Sequence, residues 1–376
     1  ASPGAVICLS PGLYTPAATI NVNLPVTIQG PQAGVDPRPS LGSMRTAGSG
    51  DEAIVDGGGS LSNIFNFYAN DIILDGLEVR NGTGDLITSS SSSMQYRPIV
   101  RYSMVHDSTG DEGIQLKEVT DAVIEYNHVF ATTGDGINIG YDSSGGTIRQ
   151  NEVHAISSPD GGIYVYETPD VTIECNLVYD VYYNDGIKLG SKGGGDAALT
   201  GGNILYNTVH DTAQDGIAVY MSDTLVEGNK VYNSTSENGA IYLAWGISNV
   251  TITLNDVHDN TLDTWKWDDP GAIMVGTEPD ASTIHVNGNN IYSNSPNGVT
   301  NRATSLLDAT GNWWGSLNGP SGAGSGSGDA VSTNVDYGSW LEEPVAIPNP
   351  CIPSDDEGPV TSNVVGDPNP AAVDSS

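Results

Sequence analysis

Short runs of strict alternation between aliphatic and other residues recur along the chain: Ile137-Asn-Ile139, Ile163-Tyr-Val165, Ile187-Lys-Leu189, Ile217-Ala-Val219, Ile241-Tyr-Leu243 and Ile273-Met-Val275. A period of two predicts strands with the aliphatic set inside and the intervening residues outside. A glycine or alanine opens each run, as in Gly113-Ile114, Gly136-Ile137, Gly162-Ile163, Gly186-Ile187, Gly216-Ile217, Ala240-Ile241 and Ala272-Ile273. Between the runs stands a second signature, an asparagine followed two residues later by an aliphatic residue. It occurs at Asn127, Asn151, Asn176, Asn207, Asn229, Asn255 and Asn289, and Asn312-Trp-Trp closes the series. A third strand, such as Ala122-Val-Ile-Glu125, precedes the asparagine. The steps between asparagines are about 22 to 26 residues, with two longer ones of about 31 and 34, and such a period predicts a solenoid. Strands joined by tight turns, with hydrogen bonds running from coil to coil, make this an all-β, right-handed parallel β-helix. About ten coils spaced by about 4.8 Å are expected.

The breaks in the pattern mark the rest of the organisation. Residues 31–60 are rich in Gly, Pro and Ser and read as a long loop, and the serine run 89–93 as a shorter one. The longer steps place insertions at 190–202, which is glycine-rich, and at 260–270, which carries Trp265-Lys266-Trp267. After Asn312 a tryptophan-rich stretch reads as a terminal cap, so that residues 1–343 form one solenoid domain. Residues 344–376 read as a Pro/Asp-rich linker.

Composition narrows the partners. Twelve Lys+Arg against 46 Asp+Glu leave a net charge of −34, which repels nucleic acid and anionic lipid. No apolar run reaches membrane-spanning length. Three cysteines are too few for a disulfide framework. Cys175 is expected to be buried within a repeat, and a bridge between Cys8 and Cys351 would require the two ends to meet.

Alignment on the asparagines gives most polar residues a structural duty. The asparagine amides stack into a ladder. His106, His154, His210 and His258 share one column with Phe130, Tyr179, Tyr232 and Tyr292, as ring stacking requires. Glu112, Asp135, Asp185 and Asp215 share another, with Asp160 one residue out of step. These acids either satisfy turn amides or bind calcium, for which Asp185, Asp215, Asp135 and Asp160 are the candidate ligands. The outward face of the Gly-Ile strands carries Tyr164, Tyr166, Lys188, Tyr220, Tyr242 and nearby Trp245, and Trp265 and Trp267 edge the same face. Exposed aromatic rings of this kind suit sugar rings.

The coil pattern, the Gly311-Asn-Trp-Trp-Gly315 segment and the Val335-Asp-Tyr…Trp340-Leu341 ending resemble the secreted right-handed parallel β-helix repeat proteins with the pectin-lyase-like fold. Residues 358–370 resemble the opening of an immunoglobulin-like extracellular module. The resemblance implies a secreted or cell-surface rod, part of a larger bacterial or archaeal surface protein, with a structural or adhesive role and a glycan as partner. It also admits a calcium-dependent polysaccharide lyase or epimerase, in which Lys188 would be the base. A third reading is a filament or layer subunit whose partners are neighbouring copies.

Overall fold

The computed structural model describes residues 1–89, 93–190 and 199–351. The strands stack into three long parallel sheets that run side by side along a rod. The first sheet has 13 strands, from Val6–Cys8 to Val335–Asp336, and the second has 11, from Gly12–Tyr14 to Asn290–Tyr292. The third also has 13, beginning at Ile20–Val22 and carrying the Gly-Ile strands. Thirteen layers at about 4.8 Å give a rod on the order of 60 Å long. The stack exceeds the expected ten coils because the earliest ones lack the asparagine by which coils were counted. No helix among the described residues is long and apolar enough to cross a membrane.

Register is kept from coil to coil. Ile137, Ile163, Ile187, Ile217, Ile241 and Ile273 pair in succession, and each is fully buried. Each coil thus adds aliphatic side chains to continuous interior columns, so burial is shared between neighbours rather than completed within one coil.

Two corners bracket the second sheet, and both use left-handed backbone. Tyr102, Tyr126, Gln150, Cys175, Tyr206 and Leu254 have φ between 48° and 55°, each just before the ladder position. Asp107, Ala131, Ala155, Asp180, Asp211 and Asp259 repeat this at the far end of the strand, with φ between 52° and 58°. Such residues cost about 1–2 kcal/mol each, and the asparagine ladder offsets this at the first corner. The Asn176 side-chain amide donates to the Ile148 carbonyl and to Asn207 Oδ1, both at 2.9 Å. Its own oxygen accepts from the Asn151 backbone and side-chain N–H groups at 3.0 Å. The pattern runs unbroken from Asn127 to Asn312, and Ser103 contributes its N–H at the start.

The glycine before each isoleucine marks a close approach between sheets. A Cβ on Gly186 would lie 2.4 Å from Val209 Cγ1 and 2.7 Å from the Gly216 carbonyl oxygen. The valine is the one of the Asn-x-Val signature, so the two sequence motifs are two sides of one contact.

The histidine column stacks as the sequence implies. His106, Phe130, His154, Tyr179, His210, Tyr232, His258 and Tyr292 form one series with ring centroids 4.5–5.5 Å apart, and Trp313 tilts over its end.

The cysteines depart from expectation. Cys175 is only half-buried, because its left-handed corner turns the side chain outward, and it forms a disulfide with Cys351. Cys8 is exposed and free. Residues 344–351, expected to be part of a linker, lie along the flank of the rod. Val345 exchanges two hydrogen bonds with the Asn290 side chain, and Gln150 Nε2 donates to the Cys351 carbonyl. The immunoglobulin-like resemblance at 358–370 falls outside the described residues, as do most of the 190–202 insertion and part of the serine run.

Candidate functional site

The outward face of the third sheet presents a column of side chains in register: Asn138, Tyr164, Lys188, Ala218, Tyr242 and Met274. Ala218, fully buried, separates Lys188 from Tyr242 along this column, and both of those side chains line a cleft of about 300 Å³. Its lining includes Asp160, Tyr164, Asp185, Lys188, Tyr220, Tyr242 and Trp245 from the sequence-level candidates, together with Asn184, Gln214, Asn238 and Lys266.

Lys188 stands on the strand Asp185–Leu189 and is 3% exposed. A buried ammonium needs compensation. Lys188 Nζ donates to Asp160 Oδ1 at 2.9 Å and sits 4.3 Å from the centroid of the Tyr164 ring. Tyr220 is 3% exposed and packs edge-on against Tyr242, with Ala218 and Ala244 completing the cluster and Trp245 against it. Burial pushes the Tyr220 hydroxyl well above the usual phenol range, and the carboxylates of Asp185 and Asp215 add to the shift. It therefore stays protonated and can donate. The Trp245 indole N–H is buried without a hydrogen-bond partner.

The insertion at 260–270 forms one wall. Lys266 Nζ donates to Asn238 Oδ1 at 2.9 Å and to Glu237 at 3.0 Å, and the Trp267 indole N–H reaches the same Asn238 oxygen at 3.3 Å. Arg302 lies 4.2 Å over the Trp267 ring. Trp265 is 75% exposed and stays outside the cleft. Tyr166 also lies outside it, stacked behind Tyr164 at 4.9 Å and set against Gly140.

The four candidate calcium ligands do different things. Asp135 accepts from the Ser158 hydroxyl at 2.5 Å, the Gly161 N–H at 2.9 Å and the Asn138 amide at 2.8 Å. Asp215 accepts from the Ser236 hydroxyl and the Asn238 amide. Burial pushes both carboxyls up to about 6 against these hydrogen bonds. Asp185 accepts from the Asp215 N–H at 3.1 Å, and Asp160 holds Lys188. Neutral donors thus meet Asp135 and Asp215, but they are side chains and N–H groups that come largely from the following coil rather than the amides of each acid's own turn. The four do not gather their oxygens into one group of metal-ligating atoms among the described residues. The ladder itself extends to Asp85, which pairs with Lys117 at 3.4 Å.

Sequence reasoning missed Lys266, Asn238, Gln214 and Asn184. Lys266 stood between two tryptophans that drew attention as aromatic surface, and only the path of the insertion brings its ammonium back over the sheet.

Chemically, the cleft combines aromatic faces, two ammonium groups, a protonated phenol and an unpaired indole N–H. Asp160 and Asp185 line it too, and both ammonium groups are paired with carboxylates, so the cleft suits a ligand with many hydroxyls.

Comparison with known proteins bears on the fold. The family model described as "Right handed beta helix region" matches residues 53–178 and 141–313. No curated protein sequence matches at a significant level. Among solved structures, the A-module of the mannuronan C-5 epimerase AlgE6 of Azotobacter vinelandii is 15% identical. The alignment covers 90% of each chain, with a TM-score of 0.62. DFA-IIIase from Arthrobacter chlorophenolicus A6, without its lid, is 15% identical over 82% of this chain and 84% of that one, with a TM-score of 0.54. The Dettilon tailspike protein is 17% identical over 88% of this chain and 62% of its own, with a TM-score of 0.52. At these identities the likeness is one of fold.

Proposed function

Because the chain belongs to the right-handed β-helix family, we propose that it is a secreted or cell-surface rod that holds a glycan in the cleft between Lys188 and Tyr242. The observation that carries the reading is the Trp245 indole N–H, buried without a partner at a cleft lined by the half-buried Tyr242 and Trp245 rings. A sugar hydroxyl would satisfy that donor while a sugar ring covers an aromatic face. Lys188 and Lys266, paired with Asp160 and Glu237, add N–H donors for sugar oxygens rather than net positive charge. The Cys175–Cys351 disulfide accords with an oxidising compartment. Structural neighbours that include a mannuronan epimerase and a tailspike are compatible with such a partner.

Retention on an array of neutral and uronic-acid oligosaccharides, followed by calorimetry on the best ligand, tests this. Trp245→Phe removes one hydrogen bond and is expected to weaken binding about tenfold, or about 1.4 kcal/mol. Lys188→Met is expected to weaken binding at least as much. No retention, or equal affinity in both variants, would sink the proposal.

A second reading makes the cleft catalytic. Lys188 Nζ and the protonated Tyr220 hydroxyl line the same cleft, which places two proton carriers beside one ligand. If a neutral Lys188 amine took the C5 proton of a uronate, the carbanion could take a proton from the Tyr220 hydroxyl on its other face and be epimerised, or expel the C4 oxygen, which Tyr220 would protonate, in a β-elimination. Lys188 could accept that proton only after giving its own to a neighbour such as Asp160. Calcium would enter with the polymer's carboxylates, since Asp160 and Asp185 alone supply too few oxygens. Ultraviolet absorbance from an unsaturated product, present with the native chain and lost in Lys188→Met, would favour this reading over simple binding.

A further inference from the structure

Away from the cleft, three ligand-bearing side chains converge on the second sheet. His128 and His154 stand on adjacent coils, in the strands His128–Thr132 and Glu152–Ile156, and their Nε2 atoms are 2.9 Å apart. Glu152 lies in register with His128. The ligand atoms of the three all fall within 4.8 Å of one another. We infer that His128, His154 and Glu152 form a binding site for a first-row divalent transition metal, with Zn2+ as the type ion.

His154 is unlike its companions in the stacked column. His106, His210 and His258 each set Nδ1 beside the carboxylate of the next residue, Asp107, Asp211 or Asp259, at 2.9, 2.6 and 2.8 Å. Ala155 follows His154, so that carboxylate is absent, and the imidazole turns Nε2 toward a second imidazole. His128 is also off the stacked column, at the position that Met104 and Leu177 occupy in the coils on either side of the cluster. Two nitrogens 2.9 Å apart, each about 2.05 Å from a common ion, subtend about 90° there, and a few tenths of an ångström of opening reaches the tetrahedral value.

The electrostatics agree with this geometry. At 2.9 Å one imidazole Nε2–H donates to the other, and moving that proton to Nδ1 of the same ring would leave both Nε2 lone pairs for an ion. Glu152 is 1% exposed. The Tyr179 hydroxyl and the Ser40 N–H donate to its two oxygens, each at 3.0 Å. These neutral donors orient the carboxylate as outer-shell partners orient metal ligands, and leave it lone pairs to share. A cation at the imidazoles would supply the positive charge that a buried carboxylate requires. The Arg45 guanidinium, whose charge bears on His128, is held in two hydrogen bonds by Glu52 at 2.8 and 2.9 Å. Imidazole nitrogen selects zinc, copper or nickel over calcium and magnesium. The ion would join two coils and, through Ser40, fasten the 31–60 loop to the rod.

The untagged full chain, freed of metal with a chelator, is titrated with Zn2+ by calorimetry in physiological salt and millimolar Mg2+, and separately with Co2+ by visible spectroscopy. One tight equivalent of Zn2+ is expected, with a raised Tm and a Co2+ ligand-field band. His128→Gln and His154→Gln are each expected to weaken binding at least tenfold, while His210→Gln leaves it unchanged. A native chain that binds no stoichiometric Zn2+ overturns the inference. So does equal binding in His128→Gln and His154→Gln, which would place the ion elsewhere on the acidic surface. If either variant fails to fold, as judged by circular dichroism, an unaltered Co2+ spectrum in free solution with the native chain decides against the site.

Discussion

At the scale of single residues, the acid ladder stores energy that pH releases. Asp135 ionises near 3.8 in the unfolded chain and near 6 when folded, with burial as the main cause. Between those values the folded state holds more protons, so stability is greatest on the acid side and falls as pH rises from about 4 to 6. The shift corresponds to about 3 kcal/mol at most. Asp135→Asn removes the charge but keeps an oxygen for Ser158 and Gly161, and Asn138, whose Oδ1 has no partner, can turn that oxygen toward the new amide. Urea unfolding at pH 4.5 and pH 7.5 is expected to show the variant gaining on the native chain at the higher pH by about 1–3 kcal/mol. A constant difference across that range would refute the buried-charge account. The same scale explains a gap in the sequence reading. His128 occupies the x of its Asn-x-Val signature, a position that elsewhere holds Glu, Leu, Thr, Lys, Asp and Asn. Its partnership with His154 depends on a diagonal between coils that no single repeat displays.

At the scale of elements, the two motifs legible in the sequence turn out to be one device. The glycine of each Gly-Ile strand is bare because the valine of the next Asn-x-Val turn fills its space, as Gly186 and Val209 show across neighbouring coils. Ala240 and Ala272 show that the corner can widen by one methyl group, but a branched side chain asks for more. Gly186→Val is expected to lower stability by about 1–3 kcal/mol, with partial rescue by Val209→Ala in the double variant. Additive losses in thermal melts would mean that the two positions do not share this space. Strand type, register and the stacked ring column could be read from the sequence because each repeats with the coil. The cleft was legible only in part. Tyr164, Lys188, Tyr220 and Tyr242 lie in the repeat and were found, whereas Lys266 arrives on an insertion whose path the period does not encode.

At the scale of the whole molecule, the repeat explains the rod but not its flank. The tail from Val345 to Cys351 runs back past several coils, with Asn290 and Gln150 as its fixed points, and the disulfide closes the run. Neither cysteine shows this in sequence, because the pairing depends on where a non-repeating segment lies. A pull applied at the two ends of the described chain would pass from Cys175 directly to Cys351. The intervening coils, inside a covalent loop of sequence separation 176, would carry none of the load. Lys188, Tyr220, Tyr242 and Trp245 lie inside that loop and would keep their places, whereas Asp160 and Tyr164 lie ahead of Cys175 and would be drawn away from Lys188. Single-molecule extension is expected to release about 600 Å more chain once the disulfide is reduced, and identical contour lengths with and without reductant would show that the bond bears no tension. A rod built this way would open its cleft under tension, because the line of force enters the covalent loop between Tyr164 and Lys188.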